Sequence, residues 1–188
     1  MNNREIIQES EKFFRENIPK SRVEKNGSYD SYLRHVLGVR KYALQLAERY
    51  NADKFVVEVA ALLHDVGADA GREHAAESAR IVERFLSKFD IPNETKEKII
   101  KCIERHSIGS KVESIEEQII QDADGIIFIE DTYKFYFGKG KEKLSLEEAR
   151  KEAMEKAEGM LNKIKTEEGI KLAKSHLVKC FEYLKTAY

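Results

Sequence analysis

Apolar residues in this chain recur at three- and four-residue intervals almost from end to end, and that period leaves little room for any architecture except packed helices. Residues 30–50 place Leu33, Val36, Leu37, Ala43, Leu44, Ala47 and Tyr50 on one stripe, with Arg34, Arg40, Lys41, Glu48 and Arg49 left for other faces. Asp30 or Ser31 is expected to cap this helix and Asn51 to end it. The next helix, over 53–66, carries Phe55, Val56, Val59, Ala60, Leu62 and Leu63 and is apolar on most sides, so it reads as the buried centre. The turn-rich stretch 67–71 stops it, and the period resumes over 72–89. Pro92 suits the first position of a helix over 92–106, and 107–114 read as a loop. Residues 115–137 begin as an amphipathic helix. Ile126 to Ile129 alone could be a strand, but no second strand candidate accompanies them, so helix is favoured. Gly138 and Gly140 are expected to break the chain before helices over 145–164 and 168–186; a short helix over 3–16 precedes the rest. The expectation is an all-α bundle of about five core helices with extra N-terminal and C-terminal helices. It forms one domain over 1–188, with a core at about 30–137 and a helical hairpin at about 145–186.

Charge narrows the function. The 33 Lys+Arg nearly cancel the 34 Asp+Glu, leaving a net charge of -1. Binding to a long nucleic acid rests on neutralising many phosphates, so no such partner is expected. No window reaches the roughly 18 apolar residues of a membrane span, so no membrane partner is expected. The charged segment Met1–Glu16 lacks the apolar run of a signal peptide, which makes the cytoplasm the expected location. Cys102 and Cys180 are too few for a disulfide framework and read as free buried thiols.

The histidines carry the chemical signal. Of the five, His35, His64, His74 and His106 fall at or near predicted helix ends. His64 is followed by Asp65 directly after the apolar run 59–63, and a buried His-Asp pair is costly unless something satisfies it. A metal ion would, since imidazole nitrogen and carboxylate oxygen suit Fe, Mn, Co, Zn or Ni. Asp122 and Asp124 interrupt another apolar helix and pose the same problem. Helices of a bundle can direct such groups into one interior site. His176 fits no motif, and Gly138-Lys139-Gly140-Lys141 lacks the spacing of a phosphate loop.

The segments Tyr32 to Val39, Ala60 to Gly67 and Gln121 to Asp124 resemble the motifs of the HD-domain superfamily of metal-dependent phosphohydrolases. His74 and His106 match histidine positions of its binuclear members. The resemblance implies an HD-type helical fold with His35, His64, Asp65 and Asp124 on a first metal and Asp65 bridging to a second held by His74 and His106. Asp124 is preferred to Asp122 because the family's last ligand usually sits in an Ala-Asp pair. His64 and Asp65 are the expected catalytic pair. The cofactor would be one or two divalent ions (Fe, Mn, Co, Zn, Ni or Mg). Many similar sequences carry a lysine three residues after the aspartate; here that position is Ala68. Arg34, Arg72, Arg105 and Lys111 are the candidates to take over its contact with phosphate.

The expected activity is hydrolysis of a small phosphate ester or nucleotide by metal-activated water. The alternatives are a di-iron oxygenase of the same superfamily and a non-catalytic metal- or ligand-binding helical domain. A homo-oligomer is compatible with the sequence.

Overall fold

Capping side chains set where most of the helices begin. The computed structural model describes residues 2–26 and 28–187, and every regular element among them is helical. Helix α1 (Asn3–Glu16) starts with a capping box between Asn2 and Glu5 and buries Ile6, Ser10 and Phe14. Helix α2 (Lys20–Asn26) lies in a stretch where no helix was expected. Helix α3 (Tyr29–Tyr50) is capped by Ser28, whose hydroxyl accepts from the Ser31 N–H at 3.2 Å, and not by Asp30 or Ser31. Asn51 ends α3 in the left-handed region at φ 51°.

Helix α4 (Lys54–Leu63) is capped by Asp53 and is buried along nearly its whole length. It stops three residues earlier than the pattern suggested. His64, Asp65, Val66 and Gly67 then turn the chain into a 3-10 segment, Ala68–Glu73. A Cβ on Gly67 would lie 2.4 Å from the Ser78 nitrogen, so only glycine lets this turn sit directly on the next helix. That helix is α5 (His74–Leu86), followed by α6 (Asn93–Glu104). Pro92 stands just outside α6 in an extended conformation rather than at its first position.

Helix α7 (Ile115–Ile127) runs through a π-turn, Phe128–Thr132, into α8 (Tyr133–Lys141). Residues 126–129 are thus helical, as favoured. Gly138 and Gly140 do not break the chain; both lie inside α8. Packing overrides their weak propensity. A Cβ on Gly140 would press to 3.2 Å from the Ala149 Cβ, so its absence brings α8 close to α9 (Leu146–Leu161). Helix α10 (Glu167–Thr186) completes the chain.

The main core is built on α3, α4, α6 and α7, with Val36, Leu46, Val59, Leu63, Ile103 and Ile120 fully enclosed. A second cluster joins Tyr133 and Phe137 of α8 to Ala149, Ala153 and Ala157 of α9 and to Cys180 and Leu184 of α10. Alanines at four-residue spacing line one face of α9 and allow its close approach. Helix α10 also packs on α7 and the π-turn, which brings the C-terminal helices up to the centre described next. Cys102 and Cys180 are both free and buried, and burial pushes their thiols upward, Cys180 to about 12. Among the described residues, no helix is long and apolar enough to cross a membrane.

Candidate metal centre

Six side chains from five helices converge around Asp65, itself one of the six. His35 projects from α3, and His64 and Asp65 follow the last turn of α4. His74 opens α5, His106 lies just past α6, and Asp124 belongs to α7. The Asp65 Oδ2 faces His64 Nε2 at 3.6 Å and His35 Nε2 at 4.0 Å. Its Oδ1 faces His106 Nε2 at 3.6 Å and His74 Nε2 at 3.9 Å. Asp124 Oδ1 lies 3.4 Å from His35 Nε2. One carboxylate therefore presents each of its oxygens to a different pair of imidazoles.

The outer nitrogens show what the inner ones can do. Nδ1 of His64, His74 and His106 meet the backbone carbonyls of Ala61, Gly71 and Ile103 at 2.8, 3.0 and 2.6 Å. A carbonyl can only accept, so each Nδ1 must carry the proton and each Nε2 turns a lone pair inward. His35 Nδ1 meets the Thr132 hydroxyl at 3.2 Å. Burial lowers the His64 pKa and brings His35 down to about 4, which keeps both rings neutral near pH 7. His64 Nε2 is buried with no hydrogen-bond partner. His74 Nε2 and His106 Nε2 stand 3.2 Å apart, and two facing lone pairs at that distance need a cation or a proton between them.

These donors fit a metal. The ligand atoms of His35, His64 and Asp124 lie within 4.8 Å of one another, as do those of His64, Asp65 and His106. A mixed imidazole and carboxylate set suits a first-row divalent ion. The carboxylates are ready for one: burial opposes ionisation of Asp65, but Arg22 and the surrounding histidines together outweigh it and hold the group well below the usual range. Asp124 is likewise held low, with Lys163 and the histidines together outweighing its burial. Arg22 donates to Asp65 Oδ1 at 2.9 Å, and Lys163 donates to Asp124 Oδ2. All of the cluster except His64 lines a cavity of about 880 Å³, whose other lining residues include Phe128, Tyr136, Leu144 and Met160. Lys139, Lys143 and Lys156 also line it.

The family model described as HD domain matches residues 32–128. The chain belongs to the HD-domain family. Among curated proteins, the chain is 30% identical over 121 residues to a tRNA (cytidine(56)-2'-O)-methyltransferase of Thermoplasma volcanium, a match covering 54% of the chain and 33% of the relative. The chain thus matches about a third of that protein's length. Among solved structures it resembles Bacillus subtilis YpgQ, with a TM-score of 0.76 at 22% identity over 98% of this chain and 95% of that one. It also resembles an HD-superfamily hydrolase from Bacillus thuringiensis, with a TM-score of 0.67 at 22% identity and full coverage of both chains. At such identity these likenesses establish the fold.

Within the HD domain the six expected ligands come together, while the four expected phosphate contacts do not line the cavity. Arg34 turns toward Asp131, 3.8 Å away, because the residue beside His35 on a helix points about 100° round from it. Arg105 is engaged by Glu113 at 2.8 Å and Glu117 at 3.0 Å. Arg72 and Lys111 are exposed and absent from the lining. The cations at the site are instead Arg22, from the unexpected helix α2, and Lys163, from the turn between α9 and α10. Asp122 does not join the cluster; it faces away and ties α7 to that turn through Thr166 and Lys165.

Proposed function

We propose that this chain is a metal-dependent phosphohydrolase acting on a small phosphorylated compound of nucleotide size. The observation that carries the reading is the cluster itself: four imidazoles, three of them with carbonyl-anchored protons and inward lone pairs, around two ionised carboxylates at an open cavity. His35, His64, Asp65 and Asp124 would hold one ion, and His74 and His106 with Asp65 would hold a second. A divalent ion bound there brings the pKa of its water toward neutrality and offsets charge on a phosphoryl group.

The protein supplies the rest by positioning. Backbone carbonyls and Thr132 lock the imidazole rings, so the Nε2 lone pairs need no reorganisation when a substrate arrives. Arg22 keeps Asp65 ionised and oriented. A cavity of about 880 Å³ lies in the range that accepts a nucleotide-sized ligand, and Phe128 and Tyr136, 6.1 Å apart edge to face, offer an apolar wall to a base. Lys143 and Lys156 carry no ion pair among the described residues and line the same cavity, where a polyphosphate would find them. The YpgQ fold has been captured in complex with ADP, at a TM-score of 0.69 and 23% identity to this chain. That complex supports a nucleotide as the first substrate to try.

The test is a panel of nucleotides and phosphomonoesters incubated with Mn, Co, Fe, Mg or Zn, with phosphate and pyrophosphate release as the readout. Metal-dependent release that disappears in Asp65→Ala is expected. Oxygen consumption without phosphate release, or undiminished hydrolysis in chelator-treated protein, would replace this reading.

A further inference from the structure

We propose that Lys163 is a phosphate-binding residue: its ammonium group holds a phosphoryl oxygen of the substrate while remaining on Asp124. The proposal rests on the phosphohydrolase reading and gives the C-terminal helices a part in it. Lysine ammonium groups are rarely buried, yet the Lys163 side chain is 3% exposed. It lines the cavity, and among the described residues Asp124 Oδ2 is the only acceptor on its Nζ. An ammonium has three donors, so two are left over for an anion entering the cavity that Lys163 lines. The other oxygen of Asp124 faces His35 of the metal cluster. A phosphoryl group drawn to that cluster therefore meets Lys163 beside it.

The surroundings show that this placement is built. Lys163 sits in the turn after α9, where Gln118 of α7 donates to its carbonyl at 3.2 Å. Gln118 also donates to Asp122 at 2.7 Å, and Asp122 accepts the Lys165 and Thr166 N–H groups at 2.9 Å each. Helix α7 thus fixes the turn through positions 118 and 122 and receives its ammonium at position 124. Of the other cations of the cavity, Arg22 donates to Asp65 on the far side of the cluster from Asp124 Oδ2, Lys139 pairs with Glu142 at 3.2 Å, and Lys143 and Lys156 are exposed.

The experiment titrates Mn2+ alone, and then inorganic phosphate into the Mn-saturated protein, by calorimetry for wild type, Lys163→Met and Lys163→Arg. Lys163→Met should bind Mn2+ as tightly as wild type or tighter, since a competing cation has gone. Its phosphate affinity should fall about ten- to a hundredfold, the worth of a charge-assisted hydrogen bond. Lys163→Arg should recover part of that loss. If Lys163→Met fails to fold by circular dichroism, Lys163→Gln, which still reaches Asp124 without charge, decides by the same comparison. Unchanged phosphate affinity in a neutral variant that keeps its metal overturns this assignment alone. Loss of Mn2+ together with phosphate overturns it too, because Lys163 would then act only on Asp124. A wild type that takes up no Mn2+ overturns the phosphohydrolase reading, and this assignment with it.

Discussion

Asp122→Ala separates the carboxylate that braces the site from the one that belongs to it. The Asp122 side chain is fully buried and accepts from Gln118 at 2.7 Å, from the Lys165 and Thr166 N–H groups at 2.9 Å, and from the Thr166 hydroxyl at 2.5 Å. Alanine leaves the buried Thr166 N–H and hydroxyl without their acceptor, while Gln118 keeps the Lys163 carbonyl and the Lys165 N–H can reach water because that residue is exposed. Each stranded buried donor costs about 1–3 kcal/mol. Burial raises the Asp122 pKa, so removing the carboxylate recovers some desolvation, which places the net loss near 3 kcal/mol. In a chain of this size about 3 kcal/mol lowers Tm by roughly 6–12 °C. The assay is urea and thermal denaturation followed by circular dichroism in excess chelator, which keeps metal linkage out of the comparison. Bound metal is then counted after Mn2+ loading and dialysis of the same variant. The reasoning requires lowered stability with full metal content. An unchanged Tm with lost metal would mean that Asp122, not Asp124, is the ligand.

The remaining predictions are simpler. Gly67→Ala should fail to give a stable fold or lose well over 3 kcal/mol, because its Cβ would fall 2.4 Å from the Ser78 nitrogen; expression and Tm measure this. Arg105→Ala should leave KM for any phosphorylated substrate within about twofold of wild type, since Arg105 is paired with Glu113 and Glu117 outside the cavity; a tenfold rise would contradict that placement. Mn2+ at about 100 times its Kd should stabilise the wild type by about 2.7 kcal/mol, or roughly 5–11 °C in Tm, with no shift in Asp65→Ala.

The site was more legible in the sequence than its surroundings. His64, Asp65 and Asp124 stood out because polar groups next to apolar runs need a partner, and helix-end positions with the motif resemblance added His35, His74 and His106; the structure brings all six to one point. The cations were not legible. Arg34, Arg72, Arg105 and Lys111 were chosen for nearness along the chain, but a neighbour on a helix points to another face. Arg22 lies on the seven-residue helix α2, too short to display a hydrophobic period. Lys163 reaches Asp124 across 39 residues from a turn rich in lysine, where nothing local distinguishes it from a solvated side chain. The composition of that turn held one weak hint: Thr166 is a good N-cap, and it fixes where α10 starts. Gly138 and Gly140 misled because their local preference yields to the packing of α9 against α8.

The most direct test is the metal content, by elemental analysis, of wild type and Asp65→Ala after identical loading with Mn2+ and exhaustive dialysis. Asp65 faces both imidazole pairs and in the proposed arrangement would serve both ions. The account predicts at least about one equivalent of Mn2+ in the wild type and next to none in the variant, with both proteins folded. Equal metal in the two, or a metal-free wild type, would contradict it.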